Sequence, residues 1–448
     1  MFHDTRVGEI WGERFEQFDA LYAYQCAENI KSLIDRGLDP LNVLIERAHE
    51  KGLEFFPSLR LMSSGNPEDP GSVFVSQFKI DHPEWCQHRS GRSNFDFSHP
   101  GVRQERFALI EETVNSYDVD GFELDWAFEP NYFEDDEVEE KGPILTAYMR
   151  EIRRMVEAAG WARGRTIVLG ARVLPTLAGN RGAGLDVGGW LQEGLLDFVV
   201  PNFYGYHHLD ADFPFEWLVQ LARPSGCQVY PALQSRILGR DPLLEHRVSP
   251  PLEYPARPKH YYAGAAVYWA RGADGIYLPW FAYPHGANHQ LLSEIHDRDL
   301  LRDKTKHYAV RRTQEDAADL GYTAPLPLKL ETGLEAPGQI IPFFIADDLD
   351  RANALLKLRL GAPSPQDSIS VSLNGQVLPP PTRVQPVRYT YAWLDYQLVP
   401  GLLKQGRNEL GVAVHSRPPR LAAPVTVEGV EVVVRHARPM PDVSDIPI

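Results

Sequence analysis

The stretch Asp120-Gly121-Phe122-Glu123-Leu124-Asp125-Trp126 decides how this chain is read. Residues two apart on a strand share a face, so Glu123 and Asp125 point one way while Phe122, Leu124 and Trp126 point the other. Two carboxylates then project from the inner face of a sheet. Unpaired charge there is costly, so such groups are paired, hydrogen-bonded or kept protonated by a raised pKa.

The neighbourhood of this segment has the βαβ rhythm of a parallel sheet. Strand-like runs are LEFFPSL (53–59), VDGFELDW (119–126), TIVLGARVL (166–174), LDFVVPNFY (196–204), QVYPALQ (228–234) and GIYLPWF (275–281). Between them LNVLIERAHEKG, VRQERFALIEETVNSY and ILTAYMREIRRMVEAAG carry apolar residues at helical spacing. No GxGxxG follows any of these strands, which argues against a dinucleotide-binding, doubly wound sheet. The expected fold is therefore α/β, a (β/α)8-type TIM barrel over residues 1–312. Six strands are legible where a closed barrel needs eight. The first strands are either irregular near FHDTRVGEIW or absent.

From about residue 323 proline and short alternating strands take over, in LLKLRLGA, SISVSLNGQVL, YAWLDYQLV, NELGVAVHS and VTVEGVEVVVRH, with Asn374-Gly375 as a hairpin signal. This predicts an all-β sandwich over 323–448. The preceding NHQLLSEIHDRDLLRDKTKHYAVRR reads as helical.

Composition narrows the function. A formal charge of −16 repels phosphate backbones and anionic lipid, so neither nucleic acid nor a membrane surface is an expected partner. No apolar run approaches the roughly 20 residues that span a bilayer. Cys26, Cys86 and Cys227 are too few and too scattered for a disulfide framework or a CxxC site. The N-terminus shows no basic and apolar leader, which reads as cytoplasmic as encoded, and as secreted or periplasmic if an earlier segment is missing. Neither GxSxG nor HExxH occurs, and no cofactor and no metal are expected.

Taken together, DVDGFELDWAFEP resembles the DGxDxDxE strand of family 18 chitinases, with Asp120, Glu123 and Asp125 on its first three acidic positions and Ala127 where that family's catalytic acid stands. LEFFPSLR, FKIDHPEW, the run from Phe95 to Trp126, VLGARVLPT, LDFVVPNFY and ADGIYLPWF are similar to the family-10-like bacterial glycosyl hydrolases. The resemblance implies a glycosidase barrel with a C-terminal β-sandwich, acting on a carbohydrate. On this reading Asp125 is the general acid/base and Glu123 tunes it or binds substrate. Arg60, Trp126, Arg172, Asn202, Tyr204, His207, Gln234 and Trp280 sit at strand ends, where a barrel binds its ligand. Arg172 is expected to pair with the carboxylates. Late strands end without Asp or Glu, which leaves a catalytically degenerate carbohydrate-binding barrel, or a sugar lyase, as alternatives.

Overall fold

In the computed structural model the described residues are 1–63, 65–87, 93–203, 208–238, 253–279, 287–310, 322–333, 338–349, 352–387 and 390–436. The chain divides into two compact units, Met1–Gly205 with Trp217–Val229, and Tyr206–Glu216 with Tyr230–Ile448.

The first unit is built on a parallel sheet of β1 (Ser58–Arg60), β2 (Gly121–Asp125), β3 (Val168–Val173), β4 (Phe198–Pro201) and β5 (Gln228–Val229), paired in chain order. Helices alternate with these strands. The helix Pro40–Glu50 starts where Asp39 accepts a hydrogen bond from the Leu41 amide at 2.8 Å, with Pro40 in its first turn. The long helix Val138–Arg163 ends on Gly164 at φ 68°, a left-handed conformation that glycine adopts without a Cβ clash. A further helix, Leu21–Asp35, lies in the stretch that carries no clear pattern: it buries only Ala23, Ala27 and Ile30 while Leu21, Tyr22 and Tyr24 are exposed.

Register explains why one face of this sheet is polar. Ser58, Glu123 and Gly170 are partners across β1, β2 and β3, and so are Arg60, Asp125 and Arg172. The opposite face is apolar, with Leu59, Leu124, Ala171 and Val199 in one buried row. Level with Glu123 and one layer below it, glycines make room for rings: a Cβ on Gly170 would lie 2.0 Å from the Phe198 ring, and one on Gly121 2.0 Å from the Phe56 ring. These two rings meet edge to face, 5.8 Å between centroids.

Among the described residues the second unit carries two large antiparallel sheets and a two-stranded one. After the antiparallel pair β6 (Arg236–Leu238) and β7 (Glu253–Pro255) come β8 (Lys306–Ala309), β9 (Leu328–Lys329), β10 (Gln339–Ile345), β11 (Ala352–Gly361), β12 (Ser368–Leu373), β13 (Gln376–Val377), β14 (Arg383–Val387), β15 (Tyr391–Leu398), β16 (Gly406–Ser416) and β17 (Thr426–His436). One sheet runs β10-β16-β12-β13, the other β14-β15-β11-β17-β8 with β9 on β17. Asn374 and Gly375, at φ 52° and 82°, make the two-residue turn between β12 and β13.

β8 corrects the sequence reading. Residues 306–309 form a strand rather than the end of a helix: they pair with β17, and their polar side chains find distant partners, Lys306 Nζ 2.6 Å from Asp347, Tyr308 donating to Asp347 at 2.6 Å and His307 bonding Glu431 at 2.7 Å. The parallel sheet comprises five strands among the described residues; within 275–279, Tyr277 makes an isolated parallel bridge to Ala232. No described helix is long and apolar enough to cross a membrane.

Candidate active site

The carboxylates meet at the C-terminal end of β2. Glu123 Oε1 accepts from the Ser58 hydroxyl at 2.7 Å and from Arg172 Nη2 at 2.5 Å. Asp125 Oδ2 is 3.2 Å from Arg172 Nη1 and 4.0 Å from Arg60 Nε. Its other oxygen, Oδ1, accepts from the amides of Ala127 at 3.1 Å and Phe128 at 3.2 Å, fixing the turn that follows. Glu123 and Asp125 are 3% and 1% exposed. The Arg60 side chain, 44% exposed, forms the outer edge and stacks its guanidinium 4.3 Å from the Phe128 ring centre.

Burial drives the electrostatics. Loss of solvent pushes the Asp125 carboxyl above its ordinary range; Arg172 opposes this, Glu123 adds to it, and Arg60 and the Ala127 amide oppose it further. Asp120, at the other end of the strand, behaves oppositely. Burial opposes its ionisation too, but the Phe55 amide at 2.7 Å, His49 Nε2 at 2.8 Å and Arg165 outweigh it and hold the carboxyl below its usual range. Asp120 therefore fastens β2 to the approach of β1 and to the helix Pro40–Glu50.

Of the residues expected at the site, the structure brings Arg60, Glu123, Asp125 and Arg172 together. Trp126 departs from its expected role: its ring is fully buried on the apolar side, among Tyr132 (5.1 Å), Trp190 (5.7 Å), Phe97 (5.9 Å) and Tyr148 (6.4 Å). Alternation along the strand turns it away from the carboxylates. Asn202, just beyond β4, and Gln234, in the second unit, are both buried. Tyr204, His207 and Trp280 lie outside the described residues. Ser58 was not singled out from sequence, although its place two residues before Arg60 on the same face is a readable signal. The acidic stretch 130–142 is anchored by its aromatics: Tyr132 donates to the Trp126 carbonyl at 2.8 Å and its own carbonyl accepts from the Phe97 amide at 3.0 Å. Among the described residues no group of His, Cys, Asp and Glu is arranged to hold a metal ion.

This polar row of β1 and β2 lies within a segment that known proteins share. Residues 17–144 match the glycosyl hydrolase-like 10 family. The matched segment carries Ser58, Arg60, Glu123 and Asp125, while Arg172 lies beyond it. Over 270 residues the chain is 22% identical to the glycosyl hydrolase DigH of Escherichia coli K12, covering 49% of this chain and 58% of that protein. Over 222 residues it is 22% identical to the glycosyl hydrolase YngK of Bacillus subtilis 168, covering 41% of this chain and 42% of that one. The chain thus spans about half the length of these curated relatives. Among solved structures, a glycoside hydrolase family 18 N-acetylglucosaminidase from Paenibacillus barengoltzii superposes with a TM-score of 0.36 at 16% identity, over 57% of this chain and 86% of that one. The glycoside hydrolase domain of PelA from Pseudomonas aeruginosa gives 0.34 at 13%, over 54% and 85%.

Proposed function

We propose that the chain is a glycoside hydrolase cleaving O-glycosidic bonds in an oligo- or polysaccharide, with Asp125 as general acid/base, on a (β/α) barrel carrying a C-terminal β-sandwich. One observation carries the reading: a carboxyl raised by burial and held by Arg172 stands at the C-terminal end of a parallel strand, inside the segment matching glycosyl hydrolase-like 10. A raised carboxyl keeps a proton to give a departing glycosidic oxygen. The chain-ordered strands support a barrel wall, since a doubly wound sheet reverses its order.

Glu123 holds Arg172 in place and so sets the charge around Asp125, while Arg60 meets substrate hydroxyls at the rim. Neighbouring inward residues on one strand are separated by about 6.6 Å along it and cannot flank a bond from opposite faces. A second group comes from another strand, and Asn202, Tyr204, His207, Gln234 and Trp280 remain proposed substrate contacts.

A second reading, a carbohydrate-binding protein that has lost catalysis, is favoured by the near-complete burial and internal bonding of both carboxylates and by Ala127. Reducing-end release from a panel of plant, algal, bacterial and host glycans separates the two. Hydrolysis predicts release by wild type and none by Asp125→Asn; saturable glycan binding by wild type with no product after long incubation sinks it. An unsaturated product absorbing in the ultraviolet would point to a lyase instead.

A further inference from the structure

A cavity of about 240 Å³ lies within the unit Tyr206–Glu216 with Tyr230–Ile448. Its walls include Asp212, Glu216, Arg271, Phe344 and Arg407. Arg271, its side chain 4% exposed, grips Glu216 with two bonds, Nε to Oε1 at 2.6 Å and Nη2 to Oε2 at 2.5 Å. Its remaining nitrogen Nη1 stands 3.0 Å from Asp212 Oδ1, but without the alignment of a hydrogen bond, and neither atom has another such partner among the described residues. From the other side Arg407 Nη1 bonds Asp212 Oδ2, and the exposed Arg407 guanidinium lies 5.7 Å from the centre of the half-buried Phe344 ring.

The chemistry of these walls selects a ligand. Three carboxylates, Asp212, Glu216 and Asp210, the last accepting from the Tyr322 hydroxyl, face two guanidiniums, so the walls repel anions and offer acceptors to hydroxyl groups. Each carboxylate oxygen accepts more than one bond and Arg407 has further N–H groups, so the walls offer donors and acceptors whose positions the ion pairs already fix. Phe344, with Pro342 and Pro325, adds an apolar surface. Alternating hydroxyls and C–H faces are what such a mixture fits. The volume is below the roughly 300–1,000 Å³ of pockets for drug-sized ligands and suits one ring.

We propose that this cavity is a carbohydrate subsite that holds one neutral pyranose ring, separate from the carboxylate site of β2. It does not depend on that site being catalytic.

Saturation-transfer NMR on the full chain tests it, with the methyl pyranosides of glucose, galactose and mannose and with N-acetylglucosamine as probes. Wild type and Asp125→Asn are expected to bind at least one probe alike. Phe344→Ala and Arg407→Gln, both at partly exposed positions, are expected to weaken that binding about tenfold at unchanged melting temperature. Should one of them fold poorly, the other carries the test. Saturable binding of none of the probes by wild type overturns the proposal, as does binding untouched by both variants. Binding lost in Asp125→Asn but kept in Phe344→Ala and Arg407→Gln also overturns it, while locating the sugar at β2 and so leaving the hydrolase reading standing.

Discussion

Arg172 reaches past its register partner to Glu123. β3 sets Arg172 beside Asp125, yet its shorter contact, Nη2 to Oε1 at 2.5 Å, is to the carboxylate one layer down, while Nη1 keeps Asp125 at 3.2 Å. One planar fork thus serves two buried carboxyl groups, a geometry a lysine ammonium cannot copy.

Removing that fork should be severe. Arg172→Met leaves two carboxylates buried without their shared cation, and the expected loss is about 3–5 kcal/mol in urea unfolding. Adding Glu123→Gln should recover part of it. A loss under about 1 kcal/mol for the single variant would mean that water, not Arg172, compensates these charges.

Asp125 carries a pH signature of definite sign. A carboxyl raised in the folded state binds its proton more tightly there than in the unfolded chain, so stability falls as pH climbs from the ordinary carboxylate range through the raised value. Asp125→Asn keeps an oxygen for the Ala127 and Phe128 amides and should erase that fall. At neutral pH the variant should be inactive on any glycan the wild type cleaves and melt no lower than wild type. A variant much less stable at neutral pH, converging with wild type in acid, would show a stabilising carboxylate and contradict the assignment.

Asp120 should show the mirror image. Its carboxyl is held below the usual range, so its contribution is complete above that range and lost as pH drops through it. Asp120→Asn is expected to cost about 1–3 kcal/mol at neutral pH, with the difference shrinking in acid and turnover unchanged. A large loss of turnover in a fully folded Asp120→Asn would move this residue into the site.

Gly170 tests the packing beside Glu123. Gly170→Ala drives a methyl into the Phe198 ring, and overpacking of this kind costs about 1–3 kcal/mol. Phe198→Leu should relieve the clash, so the double variant should be more stable than the sum of the two single effects predicts. Strict additivity would show that the ring simply swings away.

Much of the site was legible because strand alternation is a strong signal. Period two turned Glu123 and Asp125 to one side, and a cation two positions before the end of TIVLGARVL made Arg172 a natural partner. The same alternation argues against a ligand role for Trp126, whose place at a strand end suggested one; an indole is read as rim or core only once its neighbours are known, and Tyr132, Tyr148 and Trp190 come from distant parts of the chain. Trp393 and Tyr396 alternate with apolar neighbours in YAWLDYQLV, a pattern that points to the core, and both are buried. Lys306–Ala309 was misread as helix because its polar side chains reach Asp347 and Glu431, partners 41 and 124 residues away that local periodicity does not encode. The helix Leu21–Asp35 is harder to read because Leu21, Tyr22 and Tyr24 in its first turn are exposed beside the buried Ala23, Ala27 and Ile30, which widens the apolar stripe beyond the buried face.

The ring that fills the space beside Gly170 has a spectroscopic consequence. Its three nearest carbons lie 2.0, 2.2 and 2.3 Å from where a Cβ would stand, a spread that places this point over the face of the Phe198 ring rather than at its edge. The glycine proton on that bond therefore sits in the shielding cone of the aromatic current and should resonate far upfield of an ordinary glycine. Because Gly170 is also the register partner of Glu123, that single resonance gives the packing beside this carboxylate a built-in reporter, readable without substrate, label or mutation.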